Sequence, residues 1–391
     1  MDLHFRLSSS QDTVGELSSR PLFSQCNEDF TYHARVVLVL EVLVWFIVGL
    51  ALLVYVAFLA GRWFFVERDP DEIHFARTAD GWRIAITRYR AVSGVRPDVQ
   101  PVLLCHGIAA NRYGLDLTPE LSLARALSNA GFDAWLVELR GRGLSTRPQL
   151  FSEKSWDWSF DEYVEKDLPA AIAAVLAATG KDKLHFVGHS VGAVVGYAVL
   201  ADVVQAAKIR SLVAIAGPAS YRFQQKYLFH WPLRNLRFVK HAFLMRLLAP
   251  LAGYWRPKIL HNPANIAGET IRRFLVNASA SFSPNELLQY SDWIANDQFR
   301  SIDHRRDYRK EMAKIATPAL FIAGNKDLLA PPPSVKDAFD AVASADKRFV
   351  VASRGHALES NYGHFDLVLG RGASKDIFPL VADWLATHPD A

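Results

Sequence analysis

Gly188-His189-Ser190-Val191-Gly192 follows the apolar run Leu184–Val187 and precedes an alanine- and valine-rich segment suited to a helix. Two glycines around a serine permit a sharp, strained strand-to-helix turn that lifts the hydroxyl clear of its neighbours. The bland alternative is a glycine-flanked turn serine. A serine hydroxyl is a weak nucleophile near neutral pH, so it needs a base, and that base needs an orienting carboxylate. Where the nucleophile sits on such an elbow, acid and then histidine follow it along the chain. Asp327, in Gly324-Asn325-Lys326-Asp327, and His364, in Tyr362-Gly363-His364-Phe365, satisfy that order. His356 competes as base. Asp303, Asp307 and Asp337 compete as acid but read more simply as solvated charges.

Acyl transfer also needs donors for the oxyanion that forms in the transition state. The amide of Val191, directly after the serine, is one candidate. The second is the amide of Ile108, in the loop Cys105-His106-Gly107-Ile108. Gly107 permits close backbone approach, and His106 is expected to brace the loop. Gly188, His189 and Gly192 complete the elbow, and Cys105 reads as a small buried hydrophobe. Gly141-Arg142-Gly143-Leu144-Ser145 lacks the glycine spacing and lysine of a phosphate-binding loop and reads as a structural turn. Asn277-Ala278-Ser279 fits the glycosylation triplet, which matters only outside the cytoplasm. With two cysteines, Cys26 and Cys105, no disulfide framework or multi-cysteine metal site can form, and no metal site is expected.

The elements that must hold these residues are legible as a rhythm. A hairpin is expected over Ile73–Arg90 around Asp80-Gly81. Strands are expected at Pro101–Cys105, Phe132–Leu139, Leu184–Val187, Leu212–Ala216, Pro318–Ala323 and Arg348–Ala352. Helices are expected at Leu121–Ala130, Asp161–Ala178, Val191–Leu200 and Asp376–Thr387. Such alternation predicts a mostly parallel sheet flanked by helices, over residues 70–390. It breaks at 219–308, which reads as a helical cap insertion. From Tyr221 to Gly268 that insertion carries eight Lys/Arg, nine aromatics and no acid. Leu236, Val239, Phe243 and Leu247 fall on one helical face, with Arg234, Arg237 and His241 opposite. That pattern suits a membrane surface and equally a cap helix packed on the sheet.

Half of the 391 residues are hydrophobic, which excludes global disorder. A net charge of +4 over that length is too dilute for a nucleic-acid surface. Residues 1–35 read as a flexible polar tail. Val42–Ala60 is 19 uncharged residues, about 30 Å as a helix and enough for a bilayer core. Residues 36–65 are therefore expected to form a single membrane anchor, closed by the interface belt Arg62-Trp63-Phe64-Phe65. A buried core helix and a cleaved signal peptide are the alternatives. Arg62, Arg68 and Arg77 against Arg20 and Arg35 tip the orientation toward a cytoplasmic C-terminal domain.

At these residues the chain resembles the α/β-hydrolase superfamily, and within it the acid lipase (lysosomal and gastric lipase) group. The similarity is carried by Trp158-Ser159-Phe160-Asp161-Glu162, Asp167-Leu168-Pro169-Ala170 and Leu184 to Ser190, with Arg140-Gly141 and Ser145. It departs at Val191, where that group usually carries glutamine, and in the cap. The resemblance implies an α/β-hydrolase fold and ester hydrolysis through an acyl-enzyme, without metal or organic cofactor. The expected protein is a membrane-anchored serine esterase or lipase acting on a lipophilic acyl ester. Its partners would be that substrate and membrane lipid, with no nucleic acid. A thioesterase or acyltransferase with the same three residues, and a catalytically silent binding module, are the competing expectations.

Overall fold

Eight strands form a single sheet in a computed structural model that describes residues 22–92, 99–149, 153–224, 241–254, 257–356 and 358–389. The chain divides into two units, Met1–Val56 and Ala57–Ala391. The first helix, α1 (Leu22–Phe64), is 43 residues long. Its stretch from Tyr32 is long and apolar enough to cross a membrane. It starts at Leu22, so residues 22–35 are helical where a polar tail was expected.

β1 (Glu72–Arg77) and β2 (Arg83–Tyr89) form the expected hairpin, turned at Gly81 with φ +78°. β3 (Val102–Cys105), helix α2 (Leu123–Asn129) and β4 (Ala134–Glu138) follow. Next come α3 (Leu168–Thr179), β5 (Leu184–His189), α4 (Val191–Leu200) and β6 (Ile209–Ile215). The order across the sheet is β1-β2-β4-β3-β5-β6 and then β7 (Ala319–Gly324) and β8 (Lys347–Ala352). Only the β1–β2 and β2–β4 pairings are antiparallel. Strands β3 to β7 are buried at every position but one, as strands covered on both faces must be.

Between β6 and β7 lie α5 (His241–Ala252), α6 (Gly268–Asn277) and α7 (Pro284–Asn296), and no strand among the described residues. Leu236, Val239, Arg234 and Arg237 lie outside the described residues; Phe243, Leu247 and His241 fall on α5. α8 (Pro332–Ala341) and α9 (Ala373–Ala386) close the fold.

One departure from the expected elements traces to proline. The helix expected at 161–178 is interrupted by a π-helical stretch, Tyr163–Asp167, before α3. Pro169 has no amide hydrogen, so the ordinary bond back to residue 165 cannot form there. The Leu168 amide instead reaches five residues back to the Tyr163 carbonyl. Proline also opens a helix: Pro332 and Pro333 are the first residues of α8, after Pro331. In the first turn the amides have no intrahelical acceptor, and proline's fixed φ already suits a helix.

Candidate active site

Parallel strands of this sheet all end on the same side, so the loops after β3, β5, β7 and β8 converge. Ser190 follows β5 at φ +56° and ψ −121°, a conformation that costs an L-residue about 1–3 kcal/mol. Its amide is held by the Ile215 carbonyl at 2.8 Å. A Cβ at Gly188 would lie 2.4 Å from the Ala193 nitrogen, and one at Gly192 would lie 2.3 Å from the Cys105 oxygen. Both positions are therefore closed to any side chain, and Gly192 lets the start of α4 sit against the loop after β3.

The structure brings Ser190, His364 and Asp327 together. The Asp327 carboxylate can only accept, so His364 Nδ1–H donates to its Oδ2 at 2.8 Å. Nε2 is thereby left to accept from the Ser190 hydroxyl, also at 2.8 Å. The other Asp327 oxygen accepts from the Leu329 and Ala330 amides at 2.8 Å each, which fixes the carboxylate plane. All three side chains are buried: Ser190 is 7% exposed, His364 3% and Asp327 2%. A serine proton can pass along this line to an imidazole whose tautomer is already set.

The rival residues lie elsewhere. His356 is exposed in a turn with its Nδ1 on Ser353 Oγ. Asp303 bonds Ser301, Asp307 caps the turn at Tyr308, and Asp337 pairs with Arg222. Ile108, Gly107, His189 and Ser190 share the wall of a narrow gap of about 10 Å³, room for one water. Val191 is the first residue of α4, where backbone amides lack intrahelical acceptors. Cys105 is buried without a disulfide, and burial pushes its thiol upward, away from reactivity.

His106 braces the loop through both ring nitrogens. The Leu139 amide donates to Nε2 at 3.3 Å, and Nδ1–H donates to the Gly107 carbonyl at 2.8 Å. His189 donates from Nε2 to the His364 carbonyl at 3.2 Å. Burial lowers both imidazoles from an ordinary 6.5 to about 3, so each is neutral while folded. The unfolded chain takes up protons below 6.5 that the folded chain refuses until about 3. Stability is thus complete above 6.5 and declines as pH falls through that window, at up to about 1.4 kcal/mol per pH unit for each histidine. Thermal unfolding midpoints should fall between about pH 7 and pH 5.5, and His106→Gln should remove about half of that slope. An unchanged midpoint would contradict the assignment.

Three buried polar clusters were not legible in the sequence. Arg140 donates to Asp167 at 2.7 and 2.9 Å and to Asp80 at 2.8 Å. Arg142 bridges Glu286 at 2.7 and 2.8 Å, the Tyr163 hydroxyl at 3.0 Å and the Ser281 carbonyl at 2.6 Å. The Gly141–Ser145 stretch is therefore a turn that ties the insertion to the end of β4. Asp366 accepts from the Gly363 and Asn262 amides and the Asn265 side chain at 2.9–3.1 Å, locking the His364 loop to residues 262–265. The resemblance had marked Arg140, Asp167 and Ser145 but not the groups they meet, and nothing had marked Glu286 or Asp366.

An apolar cavity of 350 Å³ adjoins the gap at Ser190, sharing Phe274, Phe365 and Leu369 with it. Met245, Leu248 and Leu251 from α5 form another of its walls. Asn277, of the glycosylation triplet, is buried: its Oδ1 accepts from the Val66 amide at 2.9 Å. Its Nδ2 donates to the Phe64 and Arg273 carbonyls at 3.0 and 2.7 Å.

A sequence profile of the alpha/beta hydrolase fold family matches residues 100–358. Lipase member N of Mus musculus is 25% identical over 352 residues, covering 79% of this chain and 86% of its own. Gastric triacylglycerol lipase of Bos taurus is 25% identical over 361 residues (81% and 88%), and that of Rattus norvegicus 36% over 187 residues (46% of each). Among solved structures, a putative aryl esterase from Burkholderia cenocepacia superposes with TM-score 0.55 at 16% identity, over 81% of this chain and 99% of that one. The monoacylglycerol lipase of Paleococcus ferrophilus superposes with TM-score 0.52 at 17% identity, over 78% and 99%. At such identities these structures bear on the fold alone.

Proposed function

The chain belongs to the alpha/beta hydrolase fold family and is a carboxylic ester hydrolase related to the acid lipases, and from that premise we propose that it is a membrane-anchored serine hydrolase cleaving lipophilic acyl esters through an acyl-enzyme on Ser190. The observation that carries this reading is the line Ser190–His364–Asp327, with both contacts at 2.8 Å. Ser190 attacks the carbonyl while His364 takes its proton, and His364 then returns that proton to the leaving alcohol. Asp327 holds the imidazole tautomer and stabilises the imidazolium that forms. The Ile108 and Val191 amides receive the oxyanion. Water next attacks the acyl-serine, His364 accepts its proton, and the freed serine regains one as the acid leaves. The residues 36–65 anchor the chain, and residues 219–308 act as the cap over a 70–390 catalytic domain.

The adjoining cavity supports an acyl chain as the bound group. An apolar cavity of about 150 Å³ accepts benzene, so 350 Å³ scales to a chain of about a dozen carbons. Across p-nitrophenyl esters, kcat/KM should rise from the acetate to a maximum near that length and fall for much longer chains. A quenched turnover should yield a Ser190 peptide heavier by one acyl group. Intact esterase activity with no acyl-serine trapped, and acetate as the best substrate, would overturn the reading.

A further inference from the structure

We infer that α5 rests on the surface of the bilayer that holds α1, and that acyl chains enter the cavity from that bilayer through the wall made by Leu248 and Leu251. This rests on the membrane anchoring and Ser190 chemistry proposed above and adds the route between them.

Phe243, Leu244, Leu248 and Leu251 are exposed, and at helical spacing they form one stripe with the half-buried Leu247. Phe243 is 62% and Leu251 64% exposed, while Ala249 on the opposite side is fully buried. A contiguous apolar stripe of this kind marks an interaction site. Leu248 and Leu251 also line the cavity, so the barrier between its interior and the outside is one side chain thick.

Three observations favour lipid as the occupant. The chain leaves its apolar run at Phe64, which is fastened to α6 by the Asn277 amide. Arg272 on α6 stacks over Phe64 with 5.6 Å to the ring centre and over Tyr254 at 4.9 Å, and donates to the Pro250 carbonyl at 3.0 Å. One arginine thus joins the end of the spanning segment to the end of α5, and Tyr254 beside it is 84% exposed. Finally, Tyr221–Gly268 carries eight Lys/Arg and no acid, the charge that complements anionic phospholipid.

The test uses the full chain carrying Phe243→Cys in a Cys26→Ser background, labelled with a bimane dye; Cys105 is buried and stays unlabelled. A matching Val203→Cys protein carries the dye on an exposed turn before β6. In vesicles of phosphatidylcholine and phosphatidylglycerol, nitroxide-bearing lipid should quench the dye at 243 and leave the dye at 203 bright. In the same vesicles, Phe243→Ser/Leu244→Ser should slow hydrolysis of a bilayer-resident long-chain ester by about tenfold, the factor expected from losing one apolar anchor. Hydrolysis of soluble p-nitrophenyl butyrate should stay unchanged, because neither residue lines the cavity. No quenching at 243 would overturn the inference. So would cross-linking between Phe243→Cys copies, which would make a second copy of the chain the occupant. Quenching without turnover of either ester would instead sink the Ser190 chemistry and leave the lipid surface standing.

Discussion

Ser190→Ala should lower kcat for a p-nitrophenyl ester by about six orders of magnitude while leaving the fold intact. The substitution removes a single oxygen, and with it the 2.8 Å contact to His364 Nε2. It changes neither the backbone at φ +56° nor the amide bond to the Ile215 carbonyl that holds the turn. The unfolding midpoint should therefore stay within about 4 °C of the parent, since losing one hydrogen bond costs about 0.5–1.5 kcal/mol. Labelling by a fluorophosphonate should vanish in the variant and persist in the parent. Residual turnover would come from the Ile108 and Val191 amides and from substrate binding. A variant that kept a tenth of the parental kcat, at an unchanged midpoint, would remove Ser190 from the chemistry.

The second large effect is on stability. Arg142→Leu strands the carboxyl of Glu286, whose side chain is fully buried and is satisfied otherwise by the Ser283 amide. Burial already pushes Glu286 above the usual carboxylate range, with Arg142 the main opposing influence. Removing the guanidinium also takes the donor from the Ser281 carbonyl and leaves the Tyr163 hydroxyl held by Trp158 Nε1–H, at 2.7 Å. Breaking one side of such a pair costs about 3–5 kcal/mol, a fall of roughly 5–15 °C in the unfolding midpoint. Arg142→Leu/Glu286→Leu should recover most of that loss, because no charge is then left buried. Equal loss in single and double variants would mean that volume, not charge, decides the site.

The elbow and its partners were readable because their physical demands are local. A serine between glycines at a strand end, an acid after β7 and a histidine after β8 each declare themselves within a few residues. The parallel strands were readable for the same reason, as apolar runs at regular intervals. The clusters around Arg140, Arg142 and Asp366 were not, because each joins residues distant in the chain. Arg142 and Glu286 are 144 residues apart, and nothing beside either one names the other. The π-helical stretch before α3 was missed because hydrophobic periodicity does not register one missing amide at Pro169. The cavity was invisible for a related reason: its walls come from α5, α6 and the turn after His364, and only folding gathers them.

Asn277 bears on how the protein is made. Its side-chain amide spends both hydrogens and its oxygen on Phe64, Arg273 and Val66, so a sugar on that nitrogen and a docked Phe64 exclude one another. Glycan transfer acts on nascent chain, before such an amide is closed off. A chain modified at Asn277 during translocation would emerge with Phe64 unfastened from α6. A natively assembled molecule therefore carries a bare Asn277 in whichever compartment it folds. The compartment is read instead from a triplet engineered onto an exposed turn, such as the one at Val203.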